Sequence, residues 1–170
     1  MDVRAVQRRC EAMLDGVEVP SPLDVDRLVE AVSLRRERPV DLVAKNAPLG
    51  PCGLWVAMPG RDVVFFEAGT SKVHREHIIL HELAHLLCSH RSTERLDAGI
   101  LRELFPNLRL DMVQRVMGRS RYTAPEEQEA EVMAGLIVQR AGGMFTTATV
   151  RRDGPASGVL TRLSTALGGE

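Results

Sequence analysis

Residues 81 to 85 read HELAH. The chain has five histidines in 170 residues, and two of them stand here, four apart, with a glutamate directly after the first. An α-helix turns about 100° per residue, so positions i and i+4 lie about 40° apart on one face. Two imidazoles placed this way can converge on one zinc ion with bonds of roughly 2.0–2.1 Å. The glutamate falls at the edge of the same face, where its carboxylate can reach a water polarised by the metal without ligating the metal. His81 and His85 are therefore read as ligands and Glu82 as the general base. The plain alternative is a satisfied histidine pair on a half-buried helix.

Catalytic zinc usually has three protein ligands, so the set is incomplete. His90 lies five residues beyond His85, about 140° around a continuing helix, and is expected to point away. The pattern that completes the set with a third histidine fails, because Cys88 and Arg91 stand where Gly and His are needed. His77 shares the face of His81, but three histidines at i, i+4 and i+8 span roughly 12 Å and cannot meet at one ion. His74 carries no signal of its own. A later stretch, EEQEAEVMAG, supplies carboxylates. Glu127, Ala130, Glu131 and Ala134 form one stripe at i, i+3, i+4 and i+7, and the alanines let another helix come close. Glu127 is the expected third ligand, and Glu131 the acceptor for a ligating imidazole's far N–H. Glu129 shares a side with Met133 and Leu136, while Glu126 suits the helix dipole in the first turn. Taken alone, this stretch reads as an ordinary acidic helix start; the HExxH upstream gives it a second meaning.

These residues need elements to hold them. AVQRRCEAML has helical spacing and stops at Asp15-Gly16. SPLDVDRLVEAVSL predicts a helix with Ser21 as N-cap and Pro22 in the first position. Val40–Ala44 predicts a short strand. CGLWVAM and DVVFFEA, joined by Pro-Gly-Arg, predict a hairpin, with one strand bordering the site. KVHREHIILHELAHLLCSH holds no Gly or Pro and predicts the active helix. A short helix is expected within 91–107, and LRLDMVQRVMGR predicts another, ended by Gly118. Thr123 as N-cap and Pro125 in the first turn begin the helix that Gly142-Gly143 ends. The basic run at 35–38 reads as a solvated helix end. The expected fold is α+β, helices packed around a small antiparallel β-sheet, zincin-like, as one domain over 1–143 with a loosely attached tail over 144–170.

The bulk figures exclude other classes. A net charge of −1 with 26% charged residues gives no electrostatic reason for nucleic acid or an acidic membrane as main ligand. The N-terminus lacks the apolar core of a secretory signal, and no run approaches the roughly 20 apolar residues that span a bilayer. Cys10, Cys52 and Cys88 are odd in number and share no CxxC spacing, so reduced thiols and a cytoplasmic location are expected. Cys88, at i+7 from His81, is either a redox-sensitive thiol below the metal or an inert small hydrophobe.

With both pieces placed, the chain resembles the ImmA/IrrE family of metallopeptidases. The residues that carry the resemblance are HELAHLL at 81–87 and EQEAEVMAGLI at 127–137. GLWVAMPGRDVVFFEAG resembles the family's hairpin ahead of the active helix, and VPSPLDVDRLVEAV its N-terminal helical segment. Similarity covers about residues 18–140. Carried over position by position, the resemblance implies one Zn²⁺ held by His81, His85 and Glu127, with Glu82 as base. Glu131 stands where Asp or Asn is usual, Met133 replaces a usual aromatic, and GLIVQRAGG replaces the common Leu-Leu-Met-Pro ending. The resemblance further implies proteolysis of a regulatory partner, often a helix-turn-helix transcriptional repressor. A non-catalytic, metal-containing regulator that binds a transcription factor is the alternative.

Peptide hydrolysis also needs a donor for the tetrahedral oxyanion. Tyr122, the only tyrosine, lies just ahead of the Glu127 helix, and its hydroxyl is the candidate; packing of the helix start is its plainer use. Substrate is expected to add as a strand along Gly53–Ala57.

Overall fold

The structure is a computed structural model and describes residues 2–46, 53–90, 117–118 (backbone only) and 122–143. The expected helix within 91–107, most of the segment ending at Gly118, Cys52 and the tail over 144–170 lie outside the described residues. Among the described residues, four helices and a small four-stranded sheet make the fold α+β. The helices are α1 (Val3–Leu14), α2 (Val25–Arg36), α3 (Lys72–Leu87) and α4 (Ala124–Arg140). The strands are β1 (Val40–Lys45), β2 (Gly53–Met58), β3 (Arg61–Glu67) and β4 (Met117–Gly118).

The hairpin forms where Pro59-Gly60 turns the chain, with Gly60 at φ +81°, a conformation that suits glycine. The sheet is mixed and not antiparallel throughout. Its order is β1-β3-β2-β4, and β1 runs parallel to β3. β2 runs antiparallel to β3, and β1, on the far side of β3, runs the same way as β3 and so opposite to β2. Met117 and Gly118 do not end a helix as expected. They pair with Ala57 and Val56, so part of the edge expected to receive substrate is already occupied.

α3 packs against α4 and lies on β2 and β3, while α1 packs on α4 and α2 against β1. Leu80, Leu83 and Leu86 from α3 meet Met133 and Ile137 from α4 in one core, with Leu14, Leu28, Trp55 and Val64. Ala130 and Ala134 are fully buried in it, as a close helix pair requires. Caps set the helix bounds. Thr123 and Glu126 form a reciprocal capping box at the start of α4. α2 begins three residues later than expected: the Asp24 carboxylate accepts from Arg27 N, while the Ser21 hydroxyl is spent on the Ala141 carbonyl at 3.0 Å.

In the basic run at 35–38, Arg35 and Glu37 are exposed as a solvated helix end would be, but Arg36 and Arg38 turn inward. Asp62 is buried, and its carboxylate accepts from Arg38 Nε at 2.9 Å, Arg36 Nη2 at 3.5 Å and Trp55 Nε1 at 3.1 Å. Arg36 also donates to the Leu86 carbonyl at 3.1 Å, near the C-terminal end of α3, where a cation is favoured. Arg38 donates to the Met58 and Arg61 carbonyls across the hairpin. The two arginines thereby fasten α2 to α3 and to the sheet. No helix among the described residues is long and apolar enough to cross a membrane.

Candidate metal centre

α3 carries His81, Glu82 and His85, and α4 carries Glu127. The packing of these two helices brings the four together. His81 Nε2 and His85 Nε2 are 3.0 Å apart. Glu127 Oε2 lies 3.2 Å from the first and 3.7 Å from the second. A tetrahedral ion with bonds of roughly 2.0–2.1 Å holds its ligand atoms about 3.3 Å from one another. The three observed separations bracket that value, so the residues present fit a zinc ion.

The far side of each imidazole supports the same reading. His81 Nδ1 lies 3.1 Å from Glu131 Oε1 without the alignment of a hydrogen bond, and Nε2 is the atom that faces His85 and Glu127. For His85 the support is a chain of contacts. Arg9 Nε meets Glu129 Oε1 at 2.6 Å, and Glu129 Oε2 lies 3.1 Å from His90 Nε2. His90 Nδ1 lies 2.8 Å from His85 Nδ1. A carboxylate held by a guanidinium accepts, so His90 carries its proton on Nε2 and offers a bare Nδ1. His85 must then donate from Nδ1, and its lone pair is left on Nε2, facing Glu127. The relay thus sets the tautomer a metal requires.

His90 stays outside the ligand group, as expected, but its ring does not point away from His85. α3 ends at Leu87, and Ser89 takes φ +54°, a left-handed turn. His90 N then bonds the His85 carbonyl at 3.1 Å, and the ring folds back, buried, onto His85. Glu129 is buried with Met133 and Leu136, on the side its spacing indicates, but its pairing with Arg9 and His90 has no local signal. His77 stays outside the ligand set, its ring centroid 6.5 Å from that of His81. The Tyr122 ring stacks on the His85 imidazole, with centroids 3.5 Å apart and planes inclined by 12°.

Electrostatics divide the cluster. Burial opposes a charge on His81, but the Glu127 and Glu131 carboxylates outweigh it and push the imidazole up to about 10. His85 is pushed down to about 4 by burial, against the pull of Glu127. Burial works against the Glu127 carboxylate, yet hydrogen bonds from both histidines bring it down to about 2. Glu82 moves the other way. Burial raises it to about 7, partly offset by the His81 charge and a hydrogen bond from the Trp55 backbone. Its Oε2 is buried and has no hydrogen-bond partner among the described residues. A base poised near neutrality with an uncommitted oxygen is suited to taking a proton from a small molecule placed beside it.

Gly53 is part of this site, and sequence reasoning missed it as a site residue. A Cβ at that position would stand 2.7 Å from Ile78 Cγ2 and 2.9 Å from both Cγ and Oε1 of Glu82. Only glycine lets β2 pass this close beneath the base. Gly53→Ala is expected to displace the Glu82 side chain and to press on Ile78 of α3. Zinc content should stay at the wild-type level while kcat falls at least about tenfold, since a misplacement of about 1 Å can cost a hundredfold. An unchanged kcat would show that Glu82 does not need this close passage.

No family model matches the chain, and no match was found among curated proteins.

Proposed function

We propose that this protein is a zinc-dependent metallopeptidase with a zincin-like active helix, related to the ImmA/IrrE family that its two motifs resemble. The observation that carries the reading is the convergence of His81, His85 and Glu127, from two helices, beside a buried glutamate tuned to about 7. The two-histidine, one-glutamate set suits zinc. Zinc held there would supply Lewis acidity for the scissile carbonyl and the attacking water. Glu82 takes the proton of the attacking water as the water oxygen bonds to the carbonyl carbon. Glu82 then returns the proton to the amine nitrogen as the C–N bond breaks. Glu131 and the Arg9–Glu129–His90 relay keep the imidazoles in their ligand tautomers throughout. Tyr122, seated on His85, supplies the hydroxyl that meets the oxyanion. An extended peptide lies along β2 at Gly53–Trp55, beyond the pairing of Val56 and Ala57 with β4 among the described residues. The substrate is a regulatory protein, a helix-turn-helix transcriptional repressor in the reading that the resemblance favours.

The test uses the full chain loaded with zinc, incubated with a helix-turn-helix repressor and with a peptide mixture, and followed by mass spectrometry for new termini. Cleavage that stops on chelation and returns with zinc is the expected outcome. A chain that binds one zinc and cleaves nothing would favour the non-catalytic regulator instead.

A further inference from the structure

A second group of side chains gathers against the outer end of the relay. Cys10 on α1 is fully buried, and Cys88, the C-cap residue of α3, is half-buried. Their sulfurs and a Glu129 carboxylate oxygen all lie within 4.8 Å of one another. Such a trio invites comparison with a cation site, but two observations argue otherwise. Both Glu129 oxygens are already engaged, one by Arg9 Nε at 2.6 Å and the other by His90 Nε2 at 3.1 Å. The Arg9 guanidinium, moreover, puts a positive charge where a cation would have to sit. What remains is a pair of thiols, with Cys10 Sγ 3.8 Å from the Glu129 carbonyl oxygen.

We propose that Cys10 and Cys88 form a redox-active dithiol, which a hydroperoxide converts into a disulfide joining α1 to the end of α3. A disulfide needs its sulfurs roughly 2.05 Å apart. Closing the remaining gap takes less than about 3 Å, within reach of side-chain rotation at the last turn of a helix. Cys88 gives a small oxidant access, while the buried Cys10 is shielded from larger thiols. The hydrogen bond between the two thiols holds Cys10 below the ordinary thiol range and pushes Cys88 above it, so the pair shares its protons, and the half-buried Cys88 is the sulfur that a peroxide can reach.

The chemistry balances. Cys88 Sγ, the sulfur the peroxide can reach, gives up its proton and attacks one oxygen of hydrogen peroxide; the O–O bond breaks, and the departing hydroxide takes up the released proton as water. The sulfur now carries OH. The second thiol attacks it, the S–S bond forms, the S–O bond breaks, and the hydroxide leaves with that thiol's proton as a second water. Two electrons pass from the sulfurs to the peroxide, and a dithiol reductant reverses the change. The bond would close nearly half of the chain into one loop and would clamp together the two elements that the Arg9–Glu129–His90 contacts join. It does not depend on a metal at His81 and His85.

The experiment treats zinc-loaded full-length protein with hydrogen peroxide and maps its peptides without reduction. Expected is a mass lower by two hydrogens, a cross-link between the Cys10 and Cys88 peptides, and recovery with dithiothreitol. The oxidised form should melt about 10 °C higher, as closing so long a loop implies. Cys88→Ala, at the half-buried position, should keep the fold and the zinc yet lose both the cross-link and the Tm rise. A sulfinic acid on one cysteine, pairing through Cys52, a bond between chains, or no reaction would each overturn the proposal. So would a second zinc equivalent that disappears in Cys88→Ala, since the thiols would then be metal ligands.

Discussion

Replacing Glu82 by glutamine is expected to lower kcat for peptide hydrolysis by between about 10² and 10⁴ while leaving zinc bound. Glutamine keeps the shape of the side chain beneath Trp55 and over Gly53, but it cannot take a proton from water. The ligand atoms belong to other residues, so zinc content should match wild type. Stability gives an independent reading. The carboxyl gives up its proton near 4.5 when unfolded and near 7 when buried. Between those values the folded chain binds the extra proton, so stability falls as pH rises. Above pH 7 the ionised group costs the zinc-free protein roughly 3 kcal/mol, and the glutamine variant escapes that cost. The zinc-free variant should therefore melt higher than wild type at pH 8. Loss of activity with unchanged or higher Tm would mark Glu82 as a base held at the expense of stability. An active variant would end the peptidase reading.

Glu127→Ala should have the second large effect, on metal affinity. Loss of an outer partner of a ligating histidine typically weakens binding 10–100-fold, and loss of a ligand should exceed that, at about a hundredfold or more. Protons provide the finer test. In the zinc-free protein His81 holds its proton up to about 10, so at pH 7 a cation must displace it. Zinc uptake by wild type should release about one proton from His81, together with the fraction that Glu82 retains. Affinity should accordingly rise about tenfold per pH unit through neutrality. Without Glu127, His81 loses a carboxylate partner and its pKa falls, so fewer protons should be released per zinc. Calorimetry in buffers of different ionisation enthalpy measures both quantities. Equal affinity and equal proton release in the two proteins would remove Glu127 from the site.

How much of this was legible depended on whether the signal was local. His81, Glu82 and His85 sit within one turn and a half, and helical geometry alone relates them. Glu127 and Glu131 could be picked from four glutamates because the alanines at 130 and 134 mark the face that packs. The hairpin and the capping box are likewise written in neighbouring residues. His90 was misread because rotation per residue applies only while a helix continues, and this one stops at Leu87. Arg9 and Gly53 act on partners far away in the chain, and nothing near them announces it. The parallel pairing of β1 has the same origin, since strand order depends on where a link lands and not on what the strand contains. Arg36 and Arg38 looked solvated because the buried Asp62 that holds them lies across the sheet.

The division of the site among distant segments has a consequence for how the protein is made. In a zinc finger the ligands lie close in the chain, and the ion can organise the fold as it is synthesised. Here the two histidines leave the ribosome well before Glu127, and the Arg9 that steadies His85 has been waiting since the first helix. No complete ligand set exists until α4 has emerged and found both α1 and α3. On the proposed reading, the ion would therefore arrive at a scaffold already assembled by apolar packing, as a final bolt and not as a nucleus, and a nascent chain carrying HELAH alone would offer metals no more than a two-toothed, short-lived grip.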